Sequence, residues 1–231
     1  MKHPAPAVHA DNQTLNVSNS TIEGDKNTIK GDNNSVSGVG NAVQGSFNQI
    51  TGDTDIARGD HNTIHGNNMF IMGTDGISPF GTFDPGNFNT LYGNNSAVFG
   101  NGNVIHGDGD GIGGNANVLY DVHGGKISVS GDNNLINAIH SDTIDLLKGT
   151  GNELNFSKAK SGFTSVKGFI EGDEILVGSK QTAAFSSDAS GTMLHLHSGN
   201  KDYQVFFSDT ALATVQDNIH VVGRQVPNPQ V

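Results

Sequence analysis

Six pairs of side chains in this 231-residue chain have types and spacings suited to chemistry. Asp108 and Asp110, in the run Gly107-Asp108-Gly109-Asp110-Gly111, suit one calcium ion held in a turn, and equally suit two ordinary turn residues. Asp53 and Asp55 repeat that spacing in a less glycine-rich setting. His195 and His197 lie two apart and would share one face of a strand, as metal ligands can, but no third ligand accompanies them. His61 and His65 have no evident point of convergence. Asp142 with Asp145, and Asp173 with Glu174, have the composition of a glycosidase acid and base. They read as readily as turn residues.

Composition narrows the field. The formal net charge is −11, which disfavours nucleic acid and anionic membranes as partners. Only two arginines, Arg58 and Arg224, are present, a poor supply for an enzyme acting on polyuronates. With no cysteine, disulfides and thiolate metal sites are excluded. No apolar run is long enough for a membrane helix, so no membrane insertion is expected. The N-terminal residues lack the apolar core of a signal peptide. Hydrophobic content is 34 %, low for a packed globule, so order must come from a repeat.

That repeat sets the position of every candidate. From Gly24 to Met72 the chain reads as seven blocks of seven residues, each opening with Gly. Position 4 is Asn in most blocks and position 6 is aliphatic. In an extended segment, positions 4 and 6 face one way and 5 and 7 the other. Asn27, Asn34, Asn41, Asn48 and Asn62 therefore point inward, beside Ile29, Val36, Val43, Ile50 and Ile64. Two blocks make one coil of 14 residues, so Ile29 should stack on Val43 at about 4.8 Å. A stacked Asn amide is expected to donate to one copy and accept from the other. A coiled coil is rejected, because a Gly every seventh residue would cost about 1 kcal/mol each in a helix. The expected fold is all-β, a parallel β-solenoid (β-roll) with two 7-residue half-turns per coil and a C-terminal β cap.

Taken in order, residues 1–9 read as an N-terminal tail, 10–155 as the heptad solenoid, and 156–231 as a C-terminal β cap. Residues 73–85 interrupt the register. They read as an insertion whose Phe80 and Phe83 pack near Phe70, either a plain surface loop or an interaction loop. The register returns at Gly86. Val104, Val118 and Leu135 then fall on one outer face beside Tyr92 and Tyr120, a stripe that should be covered by the C-terminal segment or by another molecule.

The heptads resemble the β-roll repeats in the heads of trimeric autotransporter adhesins. The passage Gly168-Phe169-Ile170-Glu171-Gly172-Asp173-Glu174-Ile175-Leu176, with Gly191-Thr192-Met193-Leu194-His195-Leu196 after it, resembles the closing part of haemolysin-type (RTX) secreted proteins. That resemblance implies type I secretion through a C-terminal signal. The calcium nonapeptide of those proteins is not reproduced; its nearest match is one degenerate copy, at Asp108 and Asp110, so calcium is the one candidate cofactor and the resemblance does not carry it over.

The leading expectation for function is an extracellular structural protein that self-assembles head-to-tail through the solenoid ends into a fibre, matrix or surface layer, its partner being itself. The alternative is a cell-surface adhesin or carbohydrate-binding module with a cell-surface polysaccharide as partner. A polysaccharide-modifying enzyme is third. Ice binding is disfavoured, because position 5 carries no regular Thr row.

Overall fold

In the computed structural model the chain winds into a parallel β-roll, described over residues 7–73, 86–122, 125–138, 143–159 and 161–222. The N-terminal residues 1–6 and the segment 74–85, with Phe80 and Phe83, lie outside the described residues. Two sheets run the length of the roll. The first has twelve strands and takes alternate half-coils from Ala7–His9 to Ile219–Val221. The second has thirteen and starts at Thr14–Asn16. Twelve strands at about 4.8 Å make a roll on the order of 50 Å long.

Register follows the 14-residue period. Ile29 pairs with Val43, and Val36 with Ile50. Every inward aliphatic of the heptads from Ile22 onward is at most 3 % exposed. Each stacks on its own kind in the next coil, so one apolar side chain per half-coil suffices for a continuous core. Across 73–85 the register resumes, with Leu91 opposite Ile64.

The opening glycines have a steric cause. A Cβ on Gly52 would stand 1.6 Å from the Gly38 carbonyl oxygen one coil earlier, and one on Gly66 equally close to that of Gly52. No side chain fits there. Position 3 is also special. Asn33, Phe47, His61 and Phe88 all sit at φ between 56° and 59°, in the left-handed region. Asn tolerates that conformation, whereas aromatic residues are unusual in it.

The roll exceeds the heptads at both ends. Ala7–His9, within the stretch expected to be a tail, pairs in parallel with Thr21–Glu23. Beyond residue 155, Gly162–Lys167 and Glu174–Val177 still stack in parallel on Thr143–Lys148 and Glu153–Asn155. Only then does the pattern change. Lys201–Ser208 joins the second sheet in parallel, and Gly191–Ser198 and Thr182–Asp188 extend it antiparallel. A six-residue helix, Leu212–Asp217, follows, with Val215 buried. No helix among the described residues is long and apolar enough to cross a membrane.

Candidate assembly edges and buried ladders

Position 4 forms two columns of buried side chains, one per sheet. In the column of the first sheet, each Asn accepts from the backbone N–H of the position-4 residue one coil earlier. Examples are Asn34 to Asn48 Oδ1 at 2.9 Å and Asn103 to Asn117 Oδ1 at 2.9 Å. The amide nitrogens of Asn34, Asn89 and Asn117 donate to the carbonyl of an opening residue, as Asn117 Nδ2 does to Gly100 at 3.0 Å, whereas those of Asn48 and Asn62 are buried without a partner among the described residues. Amide-to-amide bonds of the expected kind begin only at Asn103 and run through Asn117, Asn134 and Asn152 to Asp173. Before that point the ladder is side chain to backbone, because the corner N–H and C=O groups have no other partner inside the roll.

Position 2 supplies a second ladder that runs the opposite way. Asp25 Oδ1 accepts from Val39 N–H at 2.8 Å, and Asp53 Oδ1 from Asn67 N–H at 2.7 Å. The work of these acids is to accept the corner N–H of the next coil, and the recurrence of Asp, Asn and Ser at position 2 is the sequence signal for it.

Each run of the position-4 ladder ends on an aspartate. The first-sheet column ends at Asp173, which accepts from Asn152 N–H and Ile170 N–H. The second-sheet column breaks twice. Asn41 N–H donates to Asp55 at 2.6 Å, and the next rung is Met69. Ser96 N–H donates to Asp110 at 2.8 Å, and the next rung is Ile127. Met69 and Ile127 offer no side-chain oxygen. Asp55 and Asp110 are each 1 % exposed, and their Oδ2 atoms have no partner. Burial pushes the Asp55 carboxyl up to about 6 and the Asp110 carboxyl up to about 7. Burial also raises Asp173.

The structure separates most of the pairs singled out by chemistry. Asp110 is an inward rung, whereas Asp108 is a half-buried corner residue whose N–H donates to Asn94 Oδ1 at 2.7 Å. Both line a cavity shared with Asn94, Asn95 and Lys126. Among the described residues no three acidic, His or Cys side chains gather as a metal site. Asp55 points inward and Asp53 to the corner. Asp173 is buried while Glu174 is exposed, so the two do not share a solvent-facing site. Asp145 lies on the strand Thr143–Lys148, and Asp142 falls outside the described residues. The rings of His195 and His197 are 6.3 Å apart, and His197 Nδ1 lies 3.1 Å from Asp202 Oδ1.

His61 and His65 belong to two different aromatic columns. His61 stacks between Phe47 at 4.9 Å and Phe88 at 5.3 Å along a corner. His65, Tyr92, His106 and Tyr120 stack at 4.7, 4.7 and 5.1 Å on the outer face of the first sheet. Rings stacked on one another leave edges, not faces, to a ligand. Val104, Val118 and Leu135 do form one column beside them, in register. The described part of the C-terminal segment extends the sheets and does not pair over this face. On the second sheet Phe70 tilts on Phe99 at 5.5 Å, both half-buried.

The haemolysin-like passage closes the roll. Phe169 packs edge-on to Phe207 at 5.0 Å, and Ile175 and Leu194 are fully buried. Gly168 and Gly172 take φ of 79° and 94°.

The ends are the remaining feature. Among the described residues, Ala7–His9 and Thr14–Asn16 are each paired with a strand on one side only. At the other extreme, Thr182–Asp188 is the last strand of the second sheet among the described residues. No family model, curated protein or solved structure matches this chain.

Proposed function

We propose that the protein is an extracellular structural element that joins copies of itself end to end, as in a fibre, matrix or surface layer. The observation that supports this reading is the set of one-sided strands at the extremes of the roll. An unpaired strand edge is a template for another strand. The placement outside the cell rests on the resemblance of the Gly168–Leu196 passage to type I secreted proteins. The catalytic alternative loses support from the separation of Asp173 and Glu174 to opposite sides of the backbone.

The N-terminal end restricts how a copy can join. The first two heptads open with Ala10 and Val17 instead of Gly. A Cβ on Gly24 would stand 1.8 Å from the Ala10 carbonyl oxygen. A further coil stacked in register ahead of Ala10 would bring its own carbonyl just as close to the Ala10 Cβ. Joining there must use the strand edges without continuing the corners, so strict head-to-tail continuation of the coil is disfavoured.

Negative-stain electron microscopy of the purified full chain over a concentration series tests the reading. Filaments or layers with the width of the roll are expected, and a His9→Pro variant, which loses an N–H facing away from Thr21–Glu23, should shorten them. Single short rods at every concentration would remove the assembly role. Binding of such rods to cells or glycan arrays would favour the adhesin.

A further inference from the structure

The outermost strand of the second sheet differs from every regular strand of the roll. Thr182–Asp188 is seven residues long and exposed at six of them. One edge is paired along its whole length with Gly191–Ser198, without a bulge. The strand reads Thr-Ala-Ala-Phe-Ser-Ser-Asp, with no proline, lysine or arginine. Proline, a basic side chain and a bulge, three of the devices that normally blunt an edge strand, are therefore missing from it. The N-terminal edge strands are only three residues each.

We propose that two copies of this chain pair antiparallel through the outer edges of Thr182–Asp188, centred on Phe185, so that their second sheets become one continuous sheet. The proposal shares with the assembly reading only the premise that open edges are contact surfaces. The sequence is self-complementary about its middle. Pairing on Phe185 sets Ala184 opposite Ser186, Ala183 opposite Ser187 and Thr182 opposite Asp188. Small side chains meet small ones on both faces. The two Asp188 carboxylates lie at opposite ends, on the order of 20 Å apart along the strands. In a chain of net charge −11 this contact brings no acid onto acid. Lys180, just ahead of Thr182, comes to the end that carries Asp188 of the second copy.

Phe185 gives the pairing its apolar centre. It lies opposite Leu194 in the hairpin and packs partly on the core. In the pair, the two Phe185 rings become directly opposed cross-strand neighbours, an arrangement that favours aromatic pairs. The contact is two-fold and closes on itself. It is also small beside the roughly 800 Å² per partner of a standard stable interface, so a weak, concentration-dependent dimer is expected. Copies joined this way meet tail to tail, and a longer fibre then needs a second contact at the N-terminal end.

The absence of cysteine allows a direct test of register. Single-cysteine variants of the full chain are oxidised at concentrations where sedimentation velocity shows the dimer. Phe185→Cys should cross-link with itself. Thr182→Cys and Asp188→Cys should cross-link when mixed and not when alone. Of Ala183→Pro and Ala184→Pro, one loses an N–H that faces the hairpin and the other an N–H that faces outward. The second should abolish the dimer while the thermal midpoint stays near that of the parent. A monomer at all concentrations overturns the proposal, as does cross-linking that is not symmetric about Phe185. Cross-linking of Phe185→Cys to Val8→Cys also overturns it, while sustaining end-to-end assembly of another polarity. A dimer with this register that never grows further sustains the pairing and removes the fibre.

Discussion

The two buried columns at position 4 hold the same kind of place in the two sheets, yet only one is continuous. Under the first sheet, asparagine fills every rung from Asn34 to Asn152. Under the second, the rungs after Asn41 are Asp55, Met69, Ser96, Asp110 and Ile127. Asparagine carries both a donor and an acceptor, so it can satisfy a corner carbonyl and a corner N–H together. A column of such rungs can run indefinitely. Aspartate only accepts when ionised, and Met and Ile do neither, so the second column works in short runs. Polar continuity is thus concentrated on one side of the roll.

The largest expected effect comes from breaking the continuous column. Asn117→Ala strips the acceptor from Asn103 N–H and the donor from the Gly100 carbonyl, both buried. At about 1–3 kcal/mol for each unsatisfied group, the loss should be roughly 3 kcal/mol or more in urea denaturation. Ser96→Ala in the interrupted column removes one acceptor, that of Met69 N–H, and should cost about 1–3 kcal/mol. Comparable losses from the two would erase the distinction between the columns.

The aspartates sharpen it through pH. Their folded pKa values lie above the ordinary aspartate value of 3.8, at about 6 for Asp55 and about 7 for Asp110. The folded state therefore holds these protons more tightly. The resulting stability is full below 3.8 and is lost as pH rises through about 6 and then about 7. The Gly38 carbonyl oxygen and Asp55 Oδ2 approach the same point, the Gly52 Cβ position, at 1.6 and 3.0 Å. A proton on Oδ2 can point at that carbonyl, as the Asn41 amide does at Gly24. Asp55→Asn with Asp110→Asn should leave stability unchanged at pH 4. At pH 8 Asp55→Asn should raise it by up to about 3 kcal/mol and Asp110→Asn by up to about 4 kcal/mol. A double variant that retains the parent's pH slope would contradict this assignment. The smallest effect belongs to Gly111→Ala on a strand of the interrupted side, where a Cβ would meet nothing within 4 Å. A change within about 1 kcal/mol, in the stabilising direction, is expected in the same titration.

Periodicity made the roll legible, since residues 14 apart can align only in a two-sided coil, and Ile29 beside Val43 follows directly. The left-handed backbone at position 3 was hidden because Lys26, Phe47, Thr54 and Ala116 share it with Asn. Ala7–His9 was masked by the prolines before it, although Val8 keeps the heptad phase. The last parallel strands escaped because their spacing stretches, with Asn134 to Asn152 18 residues apart and Asn152 to Asp173 21 apart. The aromatic columns needed only the 14-residue offset, but setting His61 against His65 within one block hides the stacking partners one coil away. The edge at Thr182–Asp188 has no signature in the heptads, because it belongs to the antiparallel hairpin.

Amide hydrogen exchange followed by NMR tests the ladders most directly. Every N–H from Asn34 to Asn134 in the first column donates to the next rung, whereas those of Asp55 and Asp110 face Met69 and Ile127. The first set should exchange together as one slow class, with Asp55 and Asp110 markedly faster. Equal protection in both columns, or faster exchange along the asparagines, would contradict the account of what holds this roll together.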